Sequence, residues 1–123
     1  MSDRNTLFFN HFHTSESNEY VNEYGGAEDW EGINHFGYPL KILESLEEEQ
    51  NAVVTITEHF HTNGEEFYNE LLDNIKQKGG DGRINDRSIN LELENSKMKI
   101  LNGVEACYKG KDNHVILGGL RID

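Results

Sequence analysis

The chain has 123 residues, which suffices for one domain with its own hydrophobic core but leaves little room for a second. Acidic residues outnumber basic ones 23 to 11, and the net charge of −12 disfavours non-specific binding to nucleic-acid phosphates. The single cysteine excludes an internal disulfide, and no apolar run has the length of a signal peptide or a membrane span. We therefore expect a cytoplasmic protein with no membrane partner.

The first half of the chain is predicted to alternate strands and helices. An aromatic-rich strand covers residues 6–12, and a long, polar, glycine-bearing segment follows over residues 14–39. Pro39 then opens a helix over residues 40–49, whose leucines recur at a spacing of three. The β-branched run AVVTITEHF after residue 51 indicates a strand covered on both faces.

The second half continues this pattern with one ambiguous segment. Residues 65–78 predict a helix that begins after an Asn63 N-cap and ends at Gly79. Residues 84–97 fit either a strand or a short helix followed by a turn. MKILNGVEACY is predicted as a third strand and HVILGGLRI as a fourth. The βαβ order predicts an α/β fold with a mostly parallel sheet.

Metal-compatible side chains stand at the predicted strand ends. They are His11 and His13 on the first strand, Glu58 and His59 on the second, Glu105 on the third and His114 at the start of the fourth. Residues two apart on a strand share a face, so one ion can be held by the first two histidines. Ligand sites of parallel α/β sheets collect at the carboxyl ends of the strands, so we expect a shared metal site there.

Three short segments, NHFHT, TITEH and ILNGVEACY, resemble in order the first three motifs of the PHP family, the polymerase and histidinol phosphatase superfamily of metal-dependent phosphoesterases. The resemblance covers nearly the whole chain. It implies the N-terminal part of a distorted (β/α)7 TIM-like barrel whose strand ends hold two or three divalent ions, usually zinc, manganese or iron.

The resemblance also implies roles for individual residues. The implied metal ligands are His11, His13, His59 and Glu105, with His114 as a less direct match. Glu58 and His59 are the predicted catalytic residues, and Glu58 would orient a ligand or bind metal itself. The implied reaction uses a metal-activated water to hydrolyse a phosphomonoester or the 3′ end of a nucleic acid.

The chain departs from the family pattern at two places. Phe9 stands where many members have an aspartate, and the later histidine motifs are absent. We therefore expect residues 1–123 to form a single, truncated PHP domain, completed by a second chain or by a missing C-terminal half. An incomplete barrel would leave an unpaired sheet edge that favours association.

The remaining candidates are less specific. They are His35 and His61 as extra metal or substrate contacts, Arg83, Arg87 and Arg121 as phosphate contacts, and Cys107, which has no basic neighbour and is expected to pack inside its strand.

Two alternatives stay open. In the first, the chain is a catalytically incomplete half-barrel that binds metal or docks a partner. A one-metal hydrolase of the amidohydrolase kind also begins with an HxH pair, although the segment GVE does not match that type.

Overall fold

The computed structural model describes residues 6–12, 14, 37–46, 50–59, 61–107 and 114–123. Within these ranges the chain forms six strands and two helices. In chain order they are β1 (Thr6–Phe12), α1 (Gly37–Ser45), β2 (Asn51–His59), α2 (Glu65–Gln77), β3 (Asp81–Ile84), β4 (Ser88–Leu93), β5 (Ser96–Cys107) and β6 (His114–Gly118).

The strands form one mixed sheet in the order β1-β2-β5-β4-β3. The β1–β2 and β2–β5 pairs are parallel, whereas β3–β4, β4–β5 and β5–β6 are antiparallel. β5 has 12 residues and organises the sheet. Its first half pairs with β4 and its second half with β6, while β2 lies along its other side.

The predicted TIM-like barrel with a mostly parallel sheet is therefore wrong. After α2 the chain enters a series of hairpins instead of a further strand–helix unit. Leu93 pairs with Ser96, so only Glu94 and Asn95 connect β4 to β5, and Glu94 adopts a left-handed φ of 57°. A two-residue connection permits only an antiparallel hairpin, because a parallel crossover needs a dozen or more residues.

The ambiguous segment 84–97 forms strand, because side-chain hydrogen bonds close the turn before β4. The Asn85 Oδ1 accepts hydrogen bonds from the Arg87 amide, the Ser88 amide and the Ser88 hydroxyl at 3.2, 3.0 and 2.9 Å. Asparagine is a favoured turn residue for this reason. The turn sends β4 back along β3, with Ile84 opposite Ile89.

The hydrophobic core lies between the two helices and one face of the sheet. The buried apolar side chains from α1 and α2 are Leu40, Leu43, Phe67, Tyr68, Leu71, Leu72 and Ile75. β2, β4 and β5 contribute Ala52, Val54, Ile56, Ile89, Leu91, Met98 and Ile100, and β1 adds Phe12. Because strand side chains alternate between faces, the opposite sheet face carries most of the polar residues discussed below.

The predicted first strand is confirmed, and the predicted α2 differs from the observed helix only at its last residue. α2 ends at Gln77 with Lys78 as its C-cap, and Gly79 follows with a φ of 84° that suits glycine. α1 spans Gly37–Ser45, earlier than the predicted 40–49, so Pro39 lies in its first turn, where a missing amide hydrogen is tolerated. No helix within the described ranges has the length and apolarity to cross a bilayer.

The last five residues are held against the sheet by Asn102. The Asn102 amide group donates hydrogen bonds to the carbonyls of Leu120 and Arg121 at 3.3 and 3.0 Å. Its Oδ1 accepts a hydrogen bond from the buried Tyr68 hydroxyl at 2.8 Å. The Asp123 carbonyl in turn accepts a hydrogen bond from the first amide of α2 at 2.8 Å. This segment is thus an integral part of the fold.

Candidate functional site

The carboxyl ends of β1, β2 and β5 lie at the same end of the sheet, because these three strands are parallel neighbours. We call this end of the sheet the carboxyl edge. His59 at the end of β2 pairs in register with Glu105 on β5. β6 runs antiparallel to β5, so His114 begins it at the same edge, opposite Cys107. The side chains of His59, Cys107 and His114, and the whole of His13 and His35, lie outside the described part of the chain.

His11 and Glu105 are in direct contact at this edge. The His11 Nε2 lies 2.6 Å from the Glu105 Oε1, although β2 separates their strands. The His11 side chain is half exposed at 50%, whereas that of Glu105 is 1% exposed. A buried carboxylate is thus paired with an imidazole that solvent can reach.

A β-bulge in β1 places His11 on the face of Glu105. Phe9 pairs with Val54 and Phe12 with Ile56, so β1 has one residue more than β2 over this stretch. Phe9 and Phe12 both pack towards the core, which residues three apart on a regular strand could not do. The Thr57 hydroxyl accepts a hydrogen bond from the Phe12 amide at 3.2 Å and compensates for the interrupted ladder. His11 consequently faces away from the helices.

Glu58 lies on the helix-facing side of the sheet, since neighbouring strand residues face opposite ways. Its carboxylate is fully buried and accepts hydrogen bonds from the Thr14 amide at 2.9 Å, the Thr14 hydroxyl and the Asn63 side-chain amide at 2.9 Å. Burial raises the pKa of Glu58, while these hydrogen bonds and the nearby His61 act in the opposite direction. Its orienting role stays a prediction, and its contacts are with Thr14 and Asn63.

Thr14 and Asn63 both contact Glu58, which the sequence pattern does not predict. The predicted Asn63 cap of α2 is wrong: the N-cap is Gly64, which makes no side-chain capping hydrogen bond, and the Asn63 side chain donates to Glu58 instead. Thr14 follows the HxH pair directly, so its hydrogen bonds to Glu58 attach the end of β1 to the end of β2. Three hydrogen-bond donors thus converge on the buried Glu58 carboxylate. Sequence pattern does not predict this arrangement, because Thr14 is distant from Glu58 in sequence.

The three arginines do not reach this edge through the contacts described. Arg87 donates a hydrogen bond to the Gly119 carbonyl at 2.6 Å, and Arg121 lies in the C-terminal segment held by Asn102. Arg83 lies on β3, the strand farthest from β1 in the sheet. His61 follows β2 in the loop that leads to α2 and lies near Glu58.

The donors at this edge fit a divalent transition metal. Imidazole nitrogen and carboxylate oxygen are ligands of zinc, manganese and iron. Two ligands of one tetrahedral zinc ion lie about 3.3 Å apart, so the His11 and Glu105 donors need to separate by less than about 1 Å. Within the described residues no three His, Cys, Asp or Glu side chains form a metal-binding group. A complete site would therefore require the imidazoles of His59, His13 or His114.

Comparison with known proteins found no matching family model, no matching curated protein and no matching solved structure.

Proposed function

We propose that this chain is a divalent-metal-dependent phosphoesterase whose site lies at the carboxyl edge of β1, β2 and β5. The contact between His11 and Glu105 is the observation that carries the proposal. It joins a carboxylate and an imidazole from two strands that are not neighbours, and the register places His59 beside Glu105. The resemblance of three ordered segments to PHP motifs supports the choice of reaction.

His11, His13, His59 and Glu105 would hold the metal, with His114 as a further ligand. A bound divalent ion would lower the pKa of a coordinated water and offset charge on the phosphate. Glu105 supplies a buried negative charge, and its burial strengthens electrostatic attraction to a cation. The substrate would be a phosphomonoester or the 3′ end of a nucleic acid, in the cytoplasm, with a second chain or further residues completing the site.

Exposed apolar residues favour a second function, that of a metal-binding module that docks another chain without catalysis. Val115, Ile116 and Leu117 of β6 are all exposed, and Phe8 on the edge strand β1 is 64% exposed. Within the described residues β1 pairs only with β2 and β6 only with β5, and a strand with one open side and exposed apolar side chains can pair with a partner.

One set of measurements separates the two functions. Metal-free protein is titrated with Zn²⁺ and Mn²⁺ by calorimetry and then assayed for hydrolysis of p-nitrophenyl phosphate. Glu105→Gln and His11→Ala should each weaken metal binding at least 10-fold, as expected when a ligand is removed. Glu70→Gln is the matched control, because Glu70 is an exposed glutamate on α2 and belongs to neither end of the sheet.

Unchanged metal affinity in Glu105→Gln would refute the site. Metal binding that depends on Glu105, without any turnover, would refute phosphoesterase activity of this chain by itself and favour the docking module.

A further inference from the structure

We propose that the sheet face opposite the helices carries a binding site for a phosphorylated sugar, near the amino ends of β2 and β5. A cavity of about 530 Å³ lies there, lined by side chains that include Asn51, Arg83, Lys97 and Lys99. Its volume is within the range of small-molecule sites. It lies at the other end of β5 from Glu105 and is independent of the proposed metal site.

The strand register brings the three cations to one surface. Lys99 pairs with Asn90, and Asn90 pairs with Arg83, so these residues form a row across β5, β4 and β3. Strands about 4.8 Å apart put the Cα atoms of Lys99 and Arg83 about 10 Å from each other. Lys97 lies on the same face as Lys99, about 7 Å along β5. Side chains of this length can converge on a single anion.

These cations have no carboxylate partner within the part of the chain that the structure describes. The ion pairs found there are His11 with Glu105 and Lys78 with Glu44, and neither involves Arg83, Lys97 or Lys99. The chain has 23 acidic and only 11 basic residues, so most basic side chains are expected to lie near a carboxylate. Three cations without an ion pair in one cavity depart from that expectation. A phosphate group would supply the missing negative charge.

Two carboxylates, those of Asp81 and Glu92, also line the cavity and weaken its attraction for an anion. The Asp81 Oδ1 accepts a hydrogen bond from the Gly82 amide at 2.8 Å. Glu92 lies directly opposite Lys97 in the antiparallel β4–β5 pair. Three cations against two carboxylates leave a weakly positive surface, so neutralising Glu92 should strengthen anion binding.

The side-chain amide oxygen of Asn51 favours a ligand that carries a hydroxyl group beside its phosphate. The Asn51 Oδ1 is buried and accepts no hydrogen bond from the described part of the chain. Such an acceptor is stabilised by a hydrogen-bond donor. A sugar phosphate offers both a phosphate for the cations and a hydroxyl for Asn51.

The test is calorimetric titration of the chain with ribose 5-phosphate, in EDTA and at low salt, so that no metal contributes. Arg83→Ala and Lys99→Ala should each weaken binding about 5- to 10-fold, since each removes a charge-assisted contact. Glu92→Gln should strengthen binding about 3-fold by removing a repulsive charge. Lys76→Ala is the matched control, since Lys76 is an exposed lysine on α2, and it should bind as the unmodified chain does.

Three further ligands define the chemistry. Ribose 5-phosphate should bind more tightly than inorganic phosphate, ribose should not bind, and Asn51→Ala should remove the preference for the sugar phosphate over inorganic phosphate. Equal affinity of Lys99→Ala and the unmodified chain, or no binding of ribose 5-phosphate, would overturn the proposal. Tighter binding of a tetrathymidylate would also overturn it in favour of a nucleic-acid surface.

Discussion

Thr14 donates two hydrogen bonds to the Glu58 carboxylate, one from its amide at 2.9 Å and one from its hydroxyl. The two residues stand at the carboxyl ends of neighbouring parallel strands, and the contact is buried. His11 lies three residues before Thr14, and His59 directly follows Glu58. The contact therefore fixes the two chain segments that would supply metal-binding imidazoles.

Replacing Thr14 by valine should lower both stability and metal affinity. The variant keeps the amide donor but loses the hydroxyl, so Glu58 loses one hydrogen bond, at about 1–2 kcal/mol in the free energy of unfolding. Metal affinity should fall about 10-fold or more, because the ligands lose support. Urea unfolding and zinc titration measure the two effects. Thr14→Ser, which retains the hydroxyl, should restore zinc affinity; equal affinities in the two variants would speak against this role.

Glu58 should make the metal-free protein less stable as the pH rises. Its pKa is raised in the folded state above its ordinary value of 4.5, so folding favours the protonated carboxyl. The stabilisation is complete below pH 4.5 and is lost as the pH rises through the folded-state pKa. The stability of the unmodified chain relative to Glu58→Gln should therefore decline over this window, as measured by urea unfolding in EDTA. A difference that does not vary with pH would contradict the assignment.

Tyr68 should behave in the same direction at alkaline pH. Burial and the charge of Glu58 raise the pKa of the Tyr68 phenol above its ordinary value of 10.0. An unfolded chain releases this proton near pH 10, so stability should fall above that pH. Tyr68→Phe should lack this loss but be about 1–3 kcal/mol less stable at pH 8, because Asn102 loses its donor. Identical pH dependence of unfolding in both proteins would contradict the prediction.

Gly103 should not tolerate a side chain. A Cβ at this position would lie 2.5 Å from the Leu117 carbonyl oxygen and 3.0 Å from that of Ile56, and both are backbone atoms. Gly103→Ala should cost about 1–3 kcal/mol through overpacking and shift β6 away from β5. Thermal unfolding measures the cost. Ala106→Gly, on the same strand, measures the separate effect of exchanging alanine and glycine in β5 where no such close contact is involved. Gly79→Ala would not serve, because Gly79 has a positive φ that alanine disfavours.

Local pattern predicted the individual elements well and their arrangement poorly. The aromatic run of β1, the β-branched run of β2 and the apolar spacing of α2 each depend on neighbours in sequence, and each lies near its predicted position. The barrel prediction failed at Glu94 and Asn95. These two residues have no glycine to mark a tight turn, yet they reverse the chain and make β4 antiparallel to β5.

The candidate site shows the same division. That His11 and Glu105 share an edge follows from the parallel pairing of β1, β2 and β5, which the alternating elements predicted. The bulge between Phe9 and Phe12 and the contacts of Glu58 could not be predicted, since both depend on atoms distant in sequence. Both predicted glutamates are buried, but they lie on opposite faces of the sheet. Glu58 is hydrogen-bonded on the side of the helices, whereas Glu105 contacts His11 on the other side.

The length of β5 has a consequence for how this chain can vary. Lys97, Lys99 and Glu105 are all odd-numbered residues of one uninterrupted strand, so they share a face. One residue inserted or deleted between Lys99 and Glu105 would turn the carboxylate towards the helices while leaving the lysines in place. Evolutionary length changes in that interval should therefore occur in twos, or be offset by a second bulge.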